Sequence, residues 1–429
     1  MSLKLSCQRR LASRICHRLN WIPAFAGMTL WVVQAFAVGP NPIGNEGNFP
    51  PEVAPETKKE KFGFAGLPVV GYASGFGTGF GAVGSFYRKE PGITPYKYEL
   101  DGQIYFMTSG MQSHRLRFDY LDVAGLPLRL RSMIGMLVLP KENYCGQGMR
   151  ADCGIANANP NYYLTRYWEV FAMMDARWRL RDMPNKVEII ASWRGSNYEI
   201  GHFDDKGPYP GSLYATDFKN DPGTGFASVI EAGIMLDNRD FEPDPHEGYW
   251  VETTIRESSQ FWGSKWNYIG ANLSFRGYLP LDPAKRLTLA AQVIFDGMVG
   301  EVPLQEIVRV GGSGRYFNTF GGQEIGRGLR EQYFPGRLKA YKQLELRYDT
   351  FGFKAWIWDI DLTLAAFADL GLVAWNYSTI KEEPFKPSIG FGGGLRLLWD
   401  KAVIVRFDVG VSPIEGYSPR FYFVIGNVF

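Results

Sequence analysis

Residues 343–348 read Gln-Leu-Glu-Leu-Arg-Tyr, and residues 367–371 read Phe-Ala-Asp-Leu-Gly. In the first segment polar and apolar side chains alternate, which is the pattern of a β-strand with two different faces. The second segment carries one aspartate among apolar side chains. A glycine-rich segment, residues 311–328, precedes both and holds Arg327 between two glycines. These segments predict two neighbouring strands beside a loop that presents one arginine.

The composition favours an all-β protein and excludes several other classes. Of 429 residues, 50 are glycine, 15% are aromatic and 21% are charged, which is typical of a chain with many turns and strands. The net charge of +2 gives no reason to expect a nucleic-acid partner. After residue 37 no apolar run is long enough for a transmembrane helix. A transmembrane β-barrel fits, because half of each barrel strand faces a polar lumen.

The same alternation recurs from residue 64 to residue 429 and predicts a sixteen-stranded antiparallel barrel. The predicted strands are 66–73, 77–88, 97–108, 113–121, 128–139, 162–180, 186–197, 226–236, 249–258, 266–277, 285–297, 341–350, 355–372, 388–398, 402–411 and 421–429. The connections at 140–161, 198–225 and 298–340 are long, whereas most of those between them are short. Outer-membrane barrels have long extracellular loops and short periplasmic turns, so the lengths predict a barrel with both termini in the periplasm.

Many charged side chains occupy one face of the predicted strands. A charge on the lipid face at mid-depth costs about 2–4 kcal/mol, so these side chains are expected to point into the lumen. The arginines on this inward face include Arg115, Arg117, Arg129, Arg131, Arg177 and Arg179.

The N-terminal segment has the features of a secretory signal. Residues 1–20 are basic without an acidic residue, and residues 21–37 are mostly apolar and end in Ala-Phe-Ala. We therefore expect a signal peptide at 1–37, with a membrane anchor as the alternative. Residues 38–63 are rich in Pro, Glu and Lys and are predicted to form a flexible periplasmic N-terminus before the barrel at 64–429.

Cysteine and histidine offer little chemistry. Cys145 and Cys153 lie in one polar loop and are expected to form a disulfide in an oxidising compartment, whereas a metal site there would lack further ligands. The four histidines are scattered, and none has the spacing of a metal site or a catalytic triad. We therefore expect no cofactor, no metal and no enzymatic activity.

Arg327 is the candidate functional residue of the long 298–340 loop. If this loop enters the lumen, the arginine needs a carboxylate there, because an unpaired buried charge is costly. Asp369 is the first candidate partner and Glu345 the second. The alternative is a solvated arginine in a surface loop, and spacing alone leaves both open.

The order of the motifs resembles the BamA/TamA family of outer-membrane barrels, the bacterial surface-antigen superfamily. The matching residues are Gly311-Gly312-Ser313, Arg327-Gly328, Leu344-Glu345-Leu346-Arg347, Phe367-x-Asp369-x-Gly371, Gly390-x-Gly392, Gly394-Leu395-Arg396 and a last strand that ends in Phe429. The resemblance implies that Arg327 packs against Asp369 inside the lumen. Two departures are Gly326 before the arginine and Leu329 at the family's aromatic position. Residues 38–63 are also too few for a POTRA domain, so we expect a barrel without one.

The last predicted strand carries Phe421, Phe423, Ile425 and Phe429 at odd-numbered positions, which share one face of a β-strand. A C-terminal aromatic residue on an alternating strand resembles the sorting signal of outer-membrane barrels. The alternative is an apolar last strand without a recognition role.

The resemblance implies a role in protein insertion or polypeptide translocation, with the first and last strands as a seam that can open. The expected partners are outer-membrane lipid, the barrel-assembly machinery that inserts the chain itself, and a polypeptide client or periplasmic partner. Two alternatives remain. The arginine-rich lumen favours a passive channel for anions, and the long loops are consistent with a surface antigen or adhesin.

Overall fold

The fold is one antiparallel sheet of sixteen strands in chain order, seen in a computed structural model. The structure describes residues 60–429 apart from 74–76, 154–156, 158, 181–185, 201–209, 219–222, 314–319, 331–333, 356–357, 379, 382–385, 402 and 426–428. Every strand pairs with its neighbour in sequence. The predicted all-β fold with sixteen strands is therefore confirmed.

The strands alternate with turns and with a few short helices. The strands are β1 (Lys61–Ala73), β2 (Gly77–Glu90), β3 (Ile93–Met107), β4 (Gln112–Tyr120), β5 (Leu128–Asn143), β6 (Leu164–Arg179), β7 (Lys186–Ile200), β8 (Gly225–Asp237), β9 (Gly248–Ser258), β10 (Tyr268–Pro280), β11 (Leu287–Gly300), β12 (Leu338–Ala355), β13 (Trp358–Ala374), β14 (Ser388–Trp399), β15 (Val403–Val411) and β16 (Arg420–Ile425). The α-helices are α1 (Leu213–Asp217) and α2 (Leu304–Val308), and single 3₁₀ turns lie at Val123–Gly125, Gly148–Arg150, Gln260–Trp262 and Pro413–Glu415. Within the described part of the chain, no helix has the length and apolar character needed to cross a membrane.

Strand boundaries differ most from the sequence prediction at the start of β1, predicted at 66 and observed at Lys61, and at the end of β12, predicted at 350 and observed at Ala355. β1 begins at Lys61, so residues 61–63 belong to the wall and not to the flexible N-terminus, because they pair in register with β2. β16 is described from Arg420 to Ile425, and residues 426–428 of the predicted last strand lie outside the described residues. The predicted signal peptide and the segment up to residue 59 lie outside the described residues.

The two faces of the strands differ as the alternation predicts. In β12, Glu345 and Arg347 are 0% and 3% exposed and face inward, whereas Leu346 and Tyr348 are 42% and 44% exposed on the outer face. The polar side chains therefore collect inside the curved sheet, and the apolar ones form an outer surface suited to lipid.

The sheet curves until its first strands reach its last hairpins. The Nζ of Lys61 on β1 lies 3.3 Å from the Oδ2 of Asp400, which is in the turn between β14 and β15. The hydroxyl of Tyr87 on β2 donates to the same oxygen at 2.9 Å. Tyr87 also belongs to one buried apolar cluster with Trp399 and Val403. These contacts bring the two ends of the sheet together at the end of the barrel that carries the β14–β15 turn.

Loop length separates the two ends of the barrel, because alternate connections of an antiparallel sheet lie at the same end. At one end lie the long connections 144–163, 201–224 and 301–337, and at the other lie short ones such as 121–127 and 281–286. The connection 238–247 is a longer member of the second group. We call residues 301–337, between β11 and β12, the lumenal loop.

Candidate functional site: a lumenal loop attached at two points

The tip of the lumenal loop is attached to β13 through Arg327. Its side chain is 0% exposed, and its Nε and Nη2 donate to the two carboxylate oxygens of Asp369, each at 2.9 Å. The backbone N–H of Arg327 donates to the same carboxylate at 2.9 Å. This forked pairing fixes both the position and the orientation of the guanidinium group.

Two further carboxylates face the same guanidinium group. Nη1 of Arg327 contacts Glu345 of β12 and lies 3.3 Å from Oδ2 of Asp408 on β15. Arg396 of β14 binds these two acids from the other side, at 2.9 Å to Glu345 and 2.5 Å to Asp408.

Further inward arginines complete this ion network. Nε of Arg347 donates to Oε2 of Glu345 at 2.9 Å, and Arg406 lies 3.3 Å from Asp408 and 3.2 Å from Glu324. Charges buried at this depth are tolerated only when they are paired and hydrogen-bonded. The four strands β12–β15 therefore supply an arrangement of charges that Arg327 completes.

Aromatic packing and glycines make room for the loop tip. Cζ of Arg327 lies 3.6 Å from the ring centroid of Phe367, a cation–π contact. A Cβ on Gly390 of β14 would lie 1.8 Å from the carbonyl oxygen of Arg327, so only glycine allows this approach. Gly326 and Gly328 have φ angles of +81° and +96°, a left-handed conformation that favours glycine. The Gly-Arg-Gly motif thus turns the backbone on both sides of the buried arginine.

The aromatic residue that packs at the loop tip is not at the position where the family pattern places one. Leu329, at the family's aromatic position, is 0% exposed and belongs to a buried cluster with Phe320. Phe320 stacks on Tyr341 with ring centroids 4.7 Å apart. A Cβ on Gly371 would lie 2.1 Å from the Phe320 ring, so this glycine of the Phe-x-Asp-x-Gly motif accommodates the ring. Phe320, an aromatic residue of the loop itself, therefore packs beside the motif.

A second attachment point, which sequence reasoning missed, lies near the start of the lumenal loop. Nη2 of Arg309 donates to both carboxylate oxygens of Glu169 on β6 at 2.6 Å, and its Nη1 donates to Glu306 of α2 at 2.7 Å. Glu306 accepts from Arg194 of β7 at 2.7 and 2.5 Å and from the hydroxyl of Tyr268 on β10 at 2.8 Å. Burial alone would raise the pKa of Glu306, but the neighbouring Arg194 and Arg309 hold it below its usual range.

The glycine-serine motif continues this second attachment onto β9 and β11. The N–H of Gly311 donates to Asp296 at 2.9 Å, and the N–H of Ser313 donates to Glu252 at 2.9 Å. Arg177 of β6 donates to the Ser313 hydroxyl at 2.7 Å. The loop therefore contacts β6–β11 at its start and β12–β15 at its tip. A signal for the first contact was present in the sequence, since Gly311-Gly312-Ser313 is among the family motifs.

Cys145 and Cys153 form a disulfide in the β5–β6 connection. The same connection touches the lumenal loop, because the N–H of Gly148 donates to the carbonyl of Pro335 at 2.9 Å. The disulfide-closed segment therefore packs on the lumenal loop from the side of the long connections.

The C-terminal residues divide between the wall and the lumen. Phe421 is 56% exposed on the outer face of β16, and Phe423 packs against Phe407 of β15 with ring centroids 4.6 Å apart. The Ile425 side chain lies outside the described residues. Phe429 is 3% exposed, lies inside the barrel beside Tyr278, and accepts a hydrogen bond at its carbonyl from Arg347 at 3.1 Å. Phe421 therefore faces outward, whereas Phe429 lies inside the barrel.

Most of the inward arginines named from the sequence have carboxylate partners. Arg129 lies 2.6 Å from Asp119, and Arg131 lies 2.6 Å from Asp175. The other ion pairs of this set join Arg117 to Glu99 and Asp101, Arg177 to Asp175, and Arg179 to Glu188. Arg115 has no ion pair with the described residues. The inner wall is therefore a lattice of paired charges rather than a purely cationic surface.

Comparison with protein families identifies the barrel. The model of the Omp85 superfamily domain matches residues 173–429, which is more than half of the chain and includes Arg309, Arg327 and Asp369. The chain belongs to the Omp85 superfamily. No curated protein sequence matches it. Membership makes this protein a bacterial outer-membrane β-barrel, and at the family level an insertion or translocation barrel, as the sequence resemblance implied.

Solved structures with the same arrangement have little sequence identity to this Omp85 barrel. CdiB from Escherichia coli matches with a TM-score of 0.51 and 12% identity, covering 85% of this chain and 61% of CdiB. A BamA from Haemophilus ducreyi that lacks POTRA domains 1–3 matches with a TM-score of 0.47 and 16% identity, over 86% of this chain and 70% of that one. The likeness to CdiB shows a common fold, and this chain spans about three fifths of its length.

Proposed function

We propose that this Omp85 barrel acts in membrane-protein insertion or polypeptide translocation. In this proposal the lumenal loop is a fixed brace across the lumen, and β1 and β16 form the seam that receives a client strand. An edge strand with free backbone groups can template the pairing of a new strand. The proposal includes no catalytic step and no cofactor.

The observation that carries the proposal is the attachment of the lumenal loop to opposite parts of the wall. Arg327 joins it to β12–β15, and Arg309 joins it to β6. A loop held by buried ion pairs at both places resists displacement from the lumen, because opening either attachment would leave buried charges with fewer partners. A barrel braced in this way is suited to work at its seam rather than through an open central pore.

A passive anion channel is the second candidate, and single-channel recording in planar bilayers distinguishes it from the braced barrel. The paired arginines favour the brace, since a pore selects anions with cationic groups that are free to meet them. We expect low or irregular conductance for the wild type and higher conductance for Arg327→Ala. A large, steady, anion-selective conductance that Arg327→Ala leaves unchanged would refute the brace.

Photo-crosslinking tests the proposed seam. A crosslinking amino acid replaces Phe64 on β1 or Phe421 on β16, whose side chains are 52% and 56% exposed, or the control Ile255 on β9, which is 63% exposed. With an unfolded outer-membrane barrel as client, we expect adducts at the two seam positions and none at the control. Equal adducts at all three positions, or none at the seam, would count against insertion and leave an adhesin-like role of the long loops as the better explanation.

A further inference from the structure

The β8–β9 connection, residues 238–247, is the unusually long connection at the short-turn end of the barrel, and the proposed function leaves it unexplained. Asp240 shapes it, since its carboxylate accepts from the N–H groups of Phe241 and His246 at 2.9 and 3.0 Å. These bonds hold the backbone of the connection, and the His246 side chain extends to β12. There its Nε2 lies 2.7 Å from Oδ2 of Asp349, a residue 103 positions further along the chain.

A third side chain, Asp244, faces this pair. One ligand atom from each of Asp244, His246 and Asp349 lies within 4.8 Å of the other two. Asp244 is 8% exposed, yet its carboxylate accepts no hydrogen bond from the described residues. Asp244 thus adds a second carboxylate to the pair, and the three groups together offer ligand atoms that suit a bound cation.

Asp349 is already oriented for such a role. Its Oδ1 accepts from the hydroxyl of Thr363 on β13 at 2.7 Å, which fixes the carboxylate plane and leaves Oδ2 directed at His246. Metal-binding carboxylates are commonly held by a hydrogen bond of this kind. The set therefore consists of one imidazole nitrogen and two carboxylate oxygens on two separate elements.

We propose that Asp244, His246 and Asp349 bind a divalent transition-metal ion of the zinc class, which ties the β8–β9 connection to the end of β12. Zinc accepts nitrogen and carboxylate ligands at about 2.0–2.2 Å, which places tetrahedral ligand atoms about 3.4 Å apart. The three ligand atoms lie within 4.8 Å of one another, so the protein supplies three ligands and the fourth place is left to water. Calcium and magnesium are less suited, because they prefer oxygen ligands and higher coordination numbers.

The competing occupant of the cluster is a proton on His246. Burial alone would lower the pKa of His246, but the hydrogen bond to Asp349 and the charge of Asp244 raise it to about 9. Arg347, Lys401 and Asp240 also face the cluster. The test therefore uses a mildly alkaline buffer, in which a metal ion displaces that proton more easily.

The experiment is a calorimetric titration of the purified full-length barrel in detergent with ZnCl₂ and, for comparison, with CaCl₂. It is repeated with CoCl₂ while the visible absorbance is recorded. The variants are Asp244→Asn and His246→Gln, and the control is His114→Gln on β4, outside the cluster. Folding of each variant is checked by heat-modifiable mobility in electrophoresis. Asp244→Asn is the decisive variant because Asp244 has no hydrogen bond to lose.

We expect one saturable zinc site in the wild type and in His114→Gln, with the intense visible bands of four-coordinate Co²⁺. Both cluster variants should bind zinc at least about 100-fold more weakly than the wild type, because losing a metal ligand costs more affinity than losing a contact outside the ligand shell. Absence of saturable binding to the wild type, or equal affinity in Asp244→Asn, would overturn the site and leave an ion pair between His246 and Asp349. Tighter binding of Ca²⁺ than of Zn²⁺ would overturn the zinc class.

Discussion

Replacing Arg327 with methionine tests the attachment of the loop tip most directly. The substitution retains much of the side-chain volume. It removes the three shortest hydrogen bonds that the guanidinium group donates, two to Asp369 and one to Glu345. It also leaves those acids buried with fewer cations around them. Breaking a buried ion pair from one side costs about 3–5 kcal/mol, so we expect a loss of that size in the free energy of unfolding.

Asp369→Asn should cost less than Arg327→Met. The arginine keeps Glu345 and Asp408 as partners, so the loss is about 1.5–3 kcal/mol, the usual contribution of a hydrogen bond to a charged group. In the Arg327→Met background the same change removes a carboxylate that has lost its cation, and its cost should fall to about zero. The double variant therefore should be no less stable than Arg327→Met alone, with a coupling of about 1.5–3 kcal/mol.

Urea unfolding of the refolded barrel in lipid vesicles measures these differences, followed by tryptophan fluorescence and by heat-modifiable mobility. The control is Lys354→Met, because the Lys354–Asp359 pair spans 3.7 Å with both side chains 65% exposed and such pairs contribute little. Additive losses in the double variant would refute the direct coupling of Arg327 and Asp369. A loss in Arg327→Met no greater than in the control would refute the buried network as a source of stability.

Three further changes probe the loop and its surroundings. Gly390→Ala should lower the urea midpoint more than Gly102→Ala, because its new Cβ would lie 1.8 Å from a carbonyl of the loop tip, whereas that of Gly102→Ala lies 3.5 Å from its nearest neighbour. Arg309→Met should cost about 3–5 kcal/mol in the same assay, since it leaves two buried glutamates short of a cation. Burial alone would raise the pKa of Glu415, but Arg330 and Arg420 hold it below its usual range. The ionised Glu415 therefore contributes its full stabilisation to the folded state above about pH 4.3, and this contribution is lost as the pH falls through the pKa of the folded state. Glu415→Gln should therefore flatten the acid limb of a plot of urea midpoint against pH.

Sequence predicted the fold well because the physical constraint on each strand repeats every two residues. One face of a barrel strand meets lipid and the other meets the lumen, so each strand shows the alternation seen at 343–348. Most predicted strand boundaries agree with the structure to within a few residues. One of the larger differences is the start of β1, where residues 61–63 pair with β2 and Lys61 contacts Asp400, a contact between distant residues that has no local signature.

The candidate site was predictable only in part. Arg327 and Asp369 were paired in advance because a buried guanidinium group needs a carboxylate and because the motif resembles that of a known family. Asp408 was not expected to join them, since its distance from Arg327 depends on how the sheet curves. Arg309 was missed for a different reason, because its partner Glu169 lies 140 residues earlier on a distant strand. Alternation places such residues on the inner face but does not show which of them meet across the lumen.

The contacts of the loop tip also connect the brace to the seam. The N–H of Gly328 donates to the hydroxyl of Tyr422 on β16 at 2.9 Å. Arg347 donates both to Glu345, which also contacts Arg327, and to the carbonyl of Phe429. Moving β16 away from the wall would therefore strain the same ion network that holds the loop. Because the network is buried and its members share partners, the position of β16 and the attachment of Arg327 should change together rather than independently.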